Sequence, residues 1–401
     1  QNMDRRIYFD HAATTPVKKE VLEKMLPYFS EVFGNANSQH AFGRDAVKAV
    51  DEARDTIARL INAKPSEIYF TSGGTEADNW AIRGTAHAMR NKGKHLIISS
   101  IEHPAMLTTA KQLEKDGFEV TYLKVDKDGV IDLDHLKESI RPDTVFIGVM
   151  AANNEVGTIQ PIKEVAEIAR EHKITVFTDA VQAAGVLKLD VKELGVDMMS
   201  FSAHKFYGPK GVGVLYIKSG VRLDSIVTGG HQERMKRGGT TNVPAIVGMA
   251  EAFRLANEHM EENARYVTAL RERFINGIFA RVPHVRLNGH RTRRLPANAD
   301  FSFEYIEGED FVPPRPRGHI GIERFGVLVR FSGALARPSG ARRSRRAGAR
   351  FHTLYVRAGQ YRRRNRLRHR RSGKNGEKSQ GDVAFVQNGR RRKRICITRK
   401  S

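Results

Sequence analysis

The chain has 401 residues, 40% of them hydrophobic, a single cysteine and a formal net charge of +23 at pH 7. That length exceeds one small core and suits two domains, one of them large, while a lone Cys396 excludes an intramolecular disulfide and a cysteine-based metal site. No apolar run reaches membrane-spanning length and no secretory signal opens the chain, so a cytoplasmic location is expected.

The charge looks like a nucleic-acid signal until its distribution is read. Residues 311–401 hold 27 of the 68 Lys and Arg but 3 of the 45 Asp and Glu. The first 310 residues are therefore close to electrically balanced, and the last quarter is a different kind of sequence.

In chain order, residues 7–10 read as a short strand ending in His11-Ala12-Ala13-Thr14-Thr15-Pro16. Apolar spacing predicts helices over 21–29 and 47–61, the second with Val50, Ala53, Ile57 and Leu60 on one face. Alternation follows. Strands are predicted at 68–71, 95–99, 120–125, 145–150 and 175–178, and helices at 77–89, 104–113, 133–140 and 162–171. The runs around Met198 and Val212 add two strands. A long helix over 244–279 leads into a second domain, where 299–303 is a strand. This pattern predicts an α/β fold with a mainly parallel sheet covered by helices.

In such sheets ligands lie beyond the carboxyl ends of the strands, so the residues there matter most. Lys205, in Ser202-Ala203-His204-Lys205, follows the Met198 run. A lysine at the mouth of a buried strand can lose its proton. A neutral amine can then form a Schiff base with an aldehyde such as pyridoxal phosphate (PLP). Gly73-Gly74-Thr75 precedes a helix whose free N–H groups and dipole can hold a phosphate. His103 follows the 95–99 strand and could stack on a flat cofactor. Asn153-Asn154-Glu155 follows the 145–150 strand. Asp179 and Gln182 follow the 175–178 strand, where a buried carboxylate needs a cationic partner. A protonated pyridine nitrogen is one, and it keeps the ring an electron sink. Singly, each has an ordinary reading: a surface lysine, a turn, a solvated histidine, a capping asparagine, an aspartate capping the next helix.

Together the stretches point to a family. They are Tyr8-Phe9-Asp10 with Ala13-Thr14-Thr15-Pro16, Phe70 through Glu76, Glu102-His103, Asn153 through Gly157, Asp179 through Gln182, Ser202 through Lys205, and Arg237-Gly238-Gly239-Thr240. In this order and spacing, about residues 7–306 resemble the cysteine desulfurases, the class V branch of fold-type I PLP enzymes. The resemblance implies a large domain (15–255) on a seven-stranded sheet. It also implies a smaller α+β C-terminal domain that starts at 256–310 and is joined by residues 1–14. Lys205 and His103 are the catalytic residues it points to: Lys205 binds the cofactor aldehyde and moves protons, and His103 stacks on the ring. Asp179 pairs with the pyridinium nitrogen and Gln182 contacts the ring hydroxyl. Gly74, Thr75, Ser202 and His204 hold the phosphate, with Thr240 reaching it from the other subunit of a homodimer. Asn154 faces the substrate side. No metal is implied. The family converts L-cysteine to L-alanine and leaves the sulfur as a persulfide on an enzyme cysteine. That sulfur feeds an iron–sulfur scaffold or another acceptor protein, or tRNA thiolation.

The last quarter departs from this pattern. After Glu309 there is no Ser-Ser-Gly-Ser-Ala-Cys-like nucleophile loop and no Gly-Ser-Ile-Arg-like strand for the substrate carboxylate. Residues 311–401 instead carry runs such as Arg342-Arg343-Ser344-Arg345-Arg346, and are expected to be an out-of-frame reading of an ordinary family gene. Codons for residues 320–328, read one nucleotide later, can spell Ser-Ala-Ser-Ser-Gly-Ser-Ala-Cys. Those for 350–354 can spell Gly-Ser-Ile-Arg, and those for 363–371 an acidic Asp-Glu-Ile-Asp-Tyr-Val-Ile-Asp. Such a tail is expected to be poorly ordered, since like charge with little apolar surface does not offset chain entropy. PLP binding should survive and persulfide formation should fail, because Cys396 has no positioning motif around it. Two alternatives are another class V PLP enzyme, an aminotransferase or selenocysteine lyase, and a nucleic-acid-binding protein acting through the basic tail. The Asn-Asn-Glu-Val-Gly and Ser-Ala-His-Lys stretches lean away from the first, and the recovered motifs away from the second.

Overall fold

The computed structural model describes residues 8–304 and, as backbone, Leu354–Tyr355. The rest of the Arg-rich tail, with Cys396 and the motifs expected within it, lies outside the described residues, as do residues 1–7 and 305–310. Two compact units are present. One holds Ala12–Glu261 with Thr292–Leu295, and the other holds the remaining described residues.

The first unit is built on one sheet. Its strands are β1 (Ile68–Thr71), β2 (His95–Ser99), β3 (Glu119–Leu123), β4 (Thr144–Gly148), β5 (Thr175–Asp179), β6 (Met198–Ser202) and β7 (Gly213–Ile217). Their order is β1-β7-β6-β5-β4-β2-β3. From β3 to β6 neighbours pair in parallel, while β7 pairs antiparallel with both β6 and β1. β7 therefore runs against all the others.

The central strands are short continuous apolar runs because both faces of the sheet are covered. Every residue of β1, β2, β4, β6 and β7 is buried, whereas the edge strand β3 is largely not. Alternation splits them between two cores. Ile97, Val176, Met199 and Phe201 face one, together with Val50, Ala53 and Ile57 of the helix Ala41–Leu60 and with the helix Val243–Glu258. Leu96, Ile98, Phe177 and Met198 face the other, against Trp80 and Ala81 of the helix Gly74–Met89 and Met106 and Leu113 of the helix Pro104–Lys115.

In the second unit, β8 (Val285–Asn288), β9 (Asn298–Phe303) and β10 (Leu354–Tyr355) form an antiparallel sheet in the order β10-β9-β8. Ile275, Ala299 and Phe301 make its core, with Phe274 and Phe303 packed on them.

Some expected boundaries move. The run at 7–10 contributes only a bridge at Asp10 among the described residues, since an extended run becomes a strand only when a second backbone pairs with it. The helix expected at 47–61 starts earlier, at Ala41, capped by His40. Gly43 explains the start: a Cβ there would lie 2.0 Å from the Ser38 carbonyl oxygen, so only glycine lets this turn sit on the preceding loop. The stretch 244–279 is two helices, Val243–Glu258 and Met260–Arg281, meeting at His259. The stretch 21–29 is likewise two, Lys19–Met25 and Pro27–Ser30, divided at Pro27.

Candidate active site

With β7 alone reversed, the carboxyl ends of β1, β2, β4, β5 and β6 share one edge of the sheet. The last residues of these strands and the turns leaving them carry all the expected residues except Thr240.

After β1, Gly73 takes a φ of 149°, which side chains rarely adopt, and swings the chain into the helix at Gly74. A Cβ on Gly74 would lie 2.7 Å from Val181 Cγ2, so the helix start presses on the turn after β5. Glu76 accepts the Ser72 amide at 3.0 Å and the Arg237 guanidinium at 2.8 and 3.0 Å. Among the described residues the amides of Gly74, Thr75 and Glu76 have no acceptor, as expected of an uncapped helix start. Thr75 is exposed there. Ser202, at the end of β6, is buried alongside, its Oγ 3.7 Å from where a Gly73 Cβ would stand.

After β6 a single 3₁₀ turn, Ala203–Lys205, carries the lysine. Lys205 Nζ donates to the Ala12 carbonyl and, at 3.0 Å, to the Ala13 carbonyl. Gln182 Nε2 donates to the same Ala12 oxygen at 3.3 Å. Thr15 fastens this turn: its amide and hydroxyl donate to the His204 carbonyl at 2.9 and 2.8 Å, and its Oγ1 accepts the Tyr207 amide at 2.8 Å. His204 Nδ1 lies 3.1 Å from Thr14 Oγ1. Burial, then the charges of Lys205 and Lys210, pull His204 down to about 4.

After β2, His103 caps the helix Pro104–Lys115, its Nδ1 accepting the Ala105 amide at 3.1 Å. After β4, Asn153 builds the turn: Nδ2 donates to the Ile101 carbonyl and Oδ1 accepts the amides of Glu155 and Val156, each at 2.9 Å. The neighbouring Asn154 is half-buried and its side chain engages none of the described residues.

Electrostatically the site is a group of buried acids with an amine in electrostatic reach of one of them. Asp179 is buried, and its Oδ1 accepts the Val181 amide at 2.8 Å. Burial pushes its carboxyl up to about 6, against the opposing pull of that amide and of the Lys205 charge. Lys205 and Asp179 thus act on each other. Glu102, also buried, accepts the Met150 amide at 2.7 Å and is pushed up to about 8 by burial and by Asp179. Asp78 accepts the Ser200 hydroxyl at 2.6 Å. Burial, with the charges of Asp179 and Glu102, holds Asp78 well above the carboxylate range.

Asp78 and Ser200 were not legible as site residues. The available signal was an acid lodged among Ala77, Trp80, Ala81 and Ile82, all on the buried side of one helix. Thr240 is not brought to the set. It is exposed, on the loop that Arg237 ties to Glu76.

The donor set suits PLP. An uncapped helix start flanked by the Thr75 and Ser202 hydroxyls offers donors to a phosphate. A buried Asp179 offers an acceptor to a pyridinium, and Lys205 offers an amine to an aldehyde.

The chain matches the Aminotransferase class-V family over residues 7–351. It is 53% identical over 309 residues to the cysteine desulfurase IscS of Methanosarcina thermophila, covering 77% of this chain and 76% of that one. It is 52% identical over 310 residues to the cysteine desulfurase IscS of Dictyoglomus turgidum, covering 77% and 79%. A solved NifS-like protein superposes with a TM-score of 0.74 at 41% identity, over 76% of this chain and 84% of its own. The structure of SspA in complex with cysteine does so at 0.67 and 40%, over 74% and 83%. Members of this family depend on PLP. The chain therefore belongs to the class-V aminotransferase family, in its cysteine desulfurase branch.

Proposed function

We propose that this chain is built as a PLP-dependent cysteine desulfurase, taking sulfur from L-cysteine and releasing L-alanine. The observation that carries this reading is the placement of Lys205 within electrostatic reach of the buried Asp179, at the edge that also holds the uncapped helix start. When bound, PLP supplies an electron sink that weakens the bonds at the amino acid's α-carbon.

The chain's own residues divide the remaining work. Lys205 would hold PLP by its aldehyde and move protons through Nζ, with the Ala12 and Ala13 carbonyls aiming that amine. Asp179 would favour a proton on the ring nitrogen, since a cation beside it would offset the desolvation of its carboxylate. Gln182 serves the ring hydroxyl. His103 would serve the ring face, its Nδ1 held by the Ala105 amide. Thr75, Ser202 and the Gly74 amide take the phosphate, and His204 joins them as a neutral donor. Asn154 is left to the substrate.

A homodimer completes the site through Thr240 of the partner subunit. An unpartnered apolar face supports this. Leu22, Leu26 and Phe29 recur at helical spacing, Phe29 and Phe33 are 60% and 64% exposed, and Phe33 packs on Phe42 with ring centroids 5.8 Å apart. Exposed apolar side chains gathered in this stretch suit contact with a second copy. Domains at 15–255 and 256–310, with 1–14 joined to the smaller, belong to the same reading. So do a cytoplasmic location and an acceptor protein for the sulfur. Among the described residues no helix is long and apolar enough to cross a membrane.

Sulfur acceptance is a separate matter. The one cysteine of the sequence is Cys396, in Arg-Ile-Cys-Ile, and the tail from 311 on is read as an out-of-frame product. The chain as written should therefore be yellow, with absorbance near ~400 nm, yet release little alanine or sulfide from L-cysteine. A version with the frame restored should release both. A coding DNA without an insertion or deletion near codons 308–320 overturns the frameshift. A Lys205→Ala variant that stays yellow after dialysis overturns the assignment of Lys205.

A further inference from the structure

Three acids are buried together at this edge, and the proposed function employs one of them. Asp78 is 1% exposed, and Glu102 and Asp179 are each 4% exposed. Asp78 lies one turn inside the helix that starts at Gly74 and accepts the Ser200 hydroxyl at 2.6 Å. Ser200 of β6 stands directly across from Asp179 of β5 in the sheet register. The charged groups that reach Asp179 are Asp78 from the helix, Glu102 from the turn after β2, and Lys205 from the turn after β6.

Three buried carboxylates that act on one another resist ionising together. Asp179 has both an amide donor and an amine beside it. Asp78 has a neutral hydroxyl. We infer that Asp78, acting through Ser200, is a positioning residue for Asp179: as a neutral carboxylic acid it braces the strand-end carboxylate without adding a competing charge beside it. This inference rests on the reading of Asp179 as the ring-nitrogen partner. The direction of the Asp78 shift agrees with it, because burial raises its carboxyl and so favours the protonated form.

Asp78→Asn keeps the shape, the neutrality and the acceptor for Ser200, whereas Asp78→Ala and Ser200→Ala break the contact. The test is PLP titration of the cofactor-free full chain from pH 5 to 9. It records the dissociation constant and the pH midpoint of the visible absorbance. Asp78→Asn should stay within about threefold of the parent, while Asp78→Ala and Ser200→Ala should weaken binding by about tenfold or more and move the midpoint. Far-UV circular dichroism checks that each is folded, and Ser200→Ala, the smaller change, decides alone if Asp78→Ala is not. An Asp78→Asn variant that behaves like Asp78→Ala shows that a charge was needed, and overturns the inference. Asp179→Asn is the reference. If it responds while Ser200→Ala and Asp78→Ala are silent, the inference alone falls. If Asp179→Asn is itself silent, the assignment of Asp179 falls, and the inference with it.

Discussion

Glu102 is where the burial of acids can be measured most simply. Its carboxyl is pushed up to about 8, chiefly by burial, so the folded chain holds that proton more tightly than the unfolded chain does. The contribution is fully present below the unfolded value and is lost as pH rises through about 8. In the cofactor-free protein, Glu102→Gln should therefore gain on the parent as pH rises between these values, by about 1.4 kcal/mol per pH unit. Urea unfolding at a series of pH values reads this, and a parent-minus-variant difference flat from pH 5 to 8 would show that Glu102 ionises normally. His204 has the opposite sign. Pulled down to about 4, it contributes stability above its unfolded value that is lost as pH falls through about 4. Lys205 and His103 were legible because each stands just past a strand, and Asp179 because it is a carboxylate at a strand's end. Asp78 was not, since its apolar neighbours on the helix hint at burial but nothing in the sequence shows the Ser200 hydroxyl across from it.

At the scale of elements, the turn from β1 into its helix is the most constrained piece of the site. A methyl on Gly74 would meet Val181 Cγ2 at 2.7 Å, and interiors resist such overpacking. Gly74→Ala should weaken PLP binding by about fivefold or more, and Val181→Ala added to it should recover most of the loss. Titration of the cofactor-free single and double variants checks this, and additive losses would contradict the proposed clash. The Arg237–Glu76 fork is half-buried and also holds the Ser72 amide. Glu76→Ala should cost about 1–3 kcal/mol in urea unfolding. The central strands were legible because burial on both faces writes them as short apolar runs. The helix starts at Pro104, Leu133 and Ile162 were legible too, but those at Gly74 and Ala41 were not. Gly74 and Gly43 are residues ordinarily read as turn formers, and here each begins or tightens a helix because of what packs against it.

For the whole molecule, the alternation of strands and helices was enough to give the class of fold, but not the reversal of β7, since antiparallel and parallel buried strands look alike in sequence. The unequal distribution of charge set the last quarter apart in composition, yet composition does not say what a chain segment folds into. Association is the testable property at this scale. If the face formed by Leu22, Leu26, Phe29 and Phe33 seats a second copy, then Phe29→Asp with Phe33→Asp should sediment as a monomer where the parent sediments as a dimer. A parent that sediments as a monomer would remove the proposed role of Thr240. The account as a whole depends on one amine, and borohydride reduction of the PLP-loaded chain, followed by proteolysis and mass spectrometry, tests it most directly. A phosphopyridoxyl mass on the peptide that contains Lys205 is the predicted result. The same mass on a different lysine, or on no peptide of the loaded parent, would contradict it.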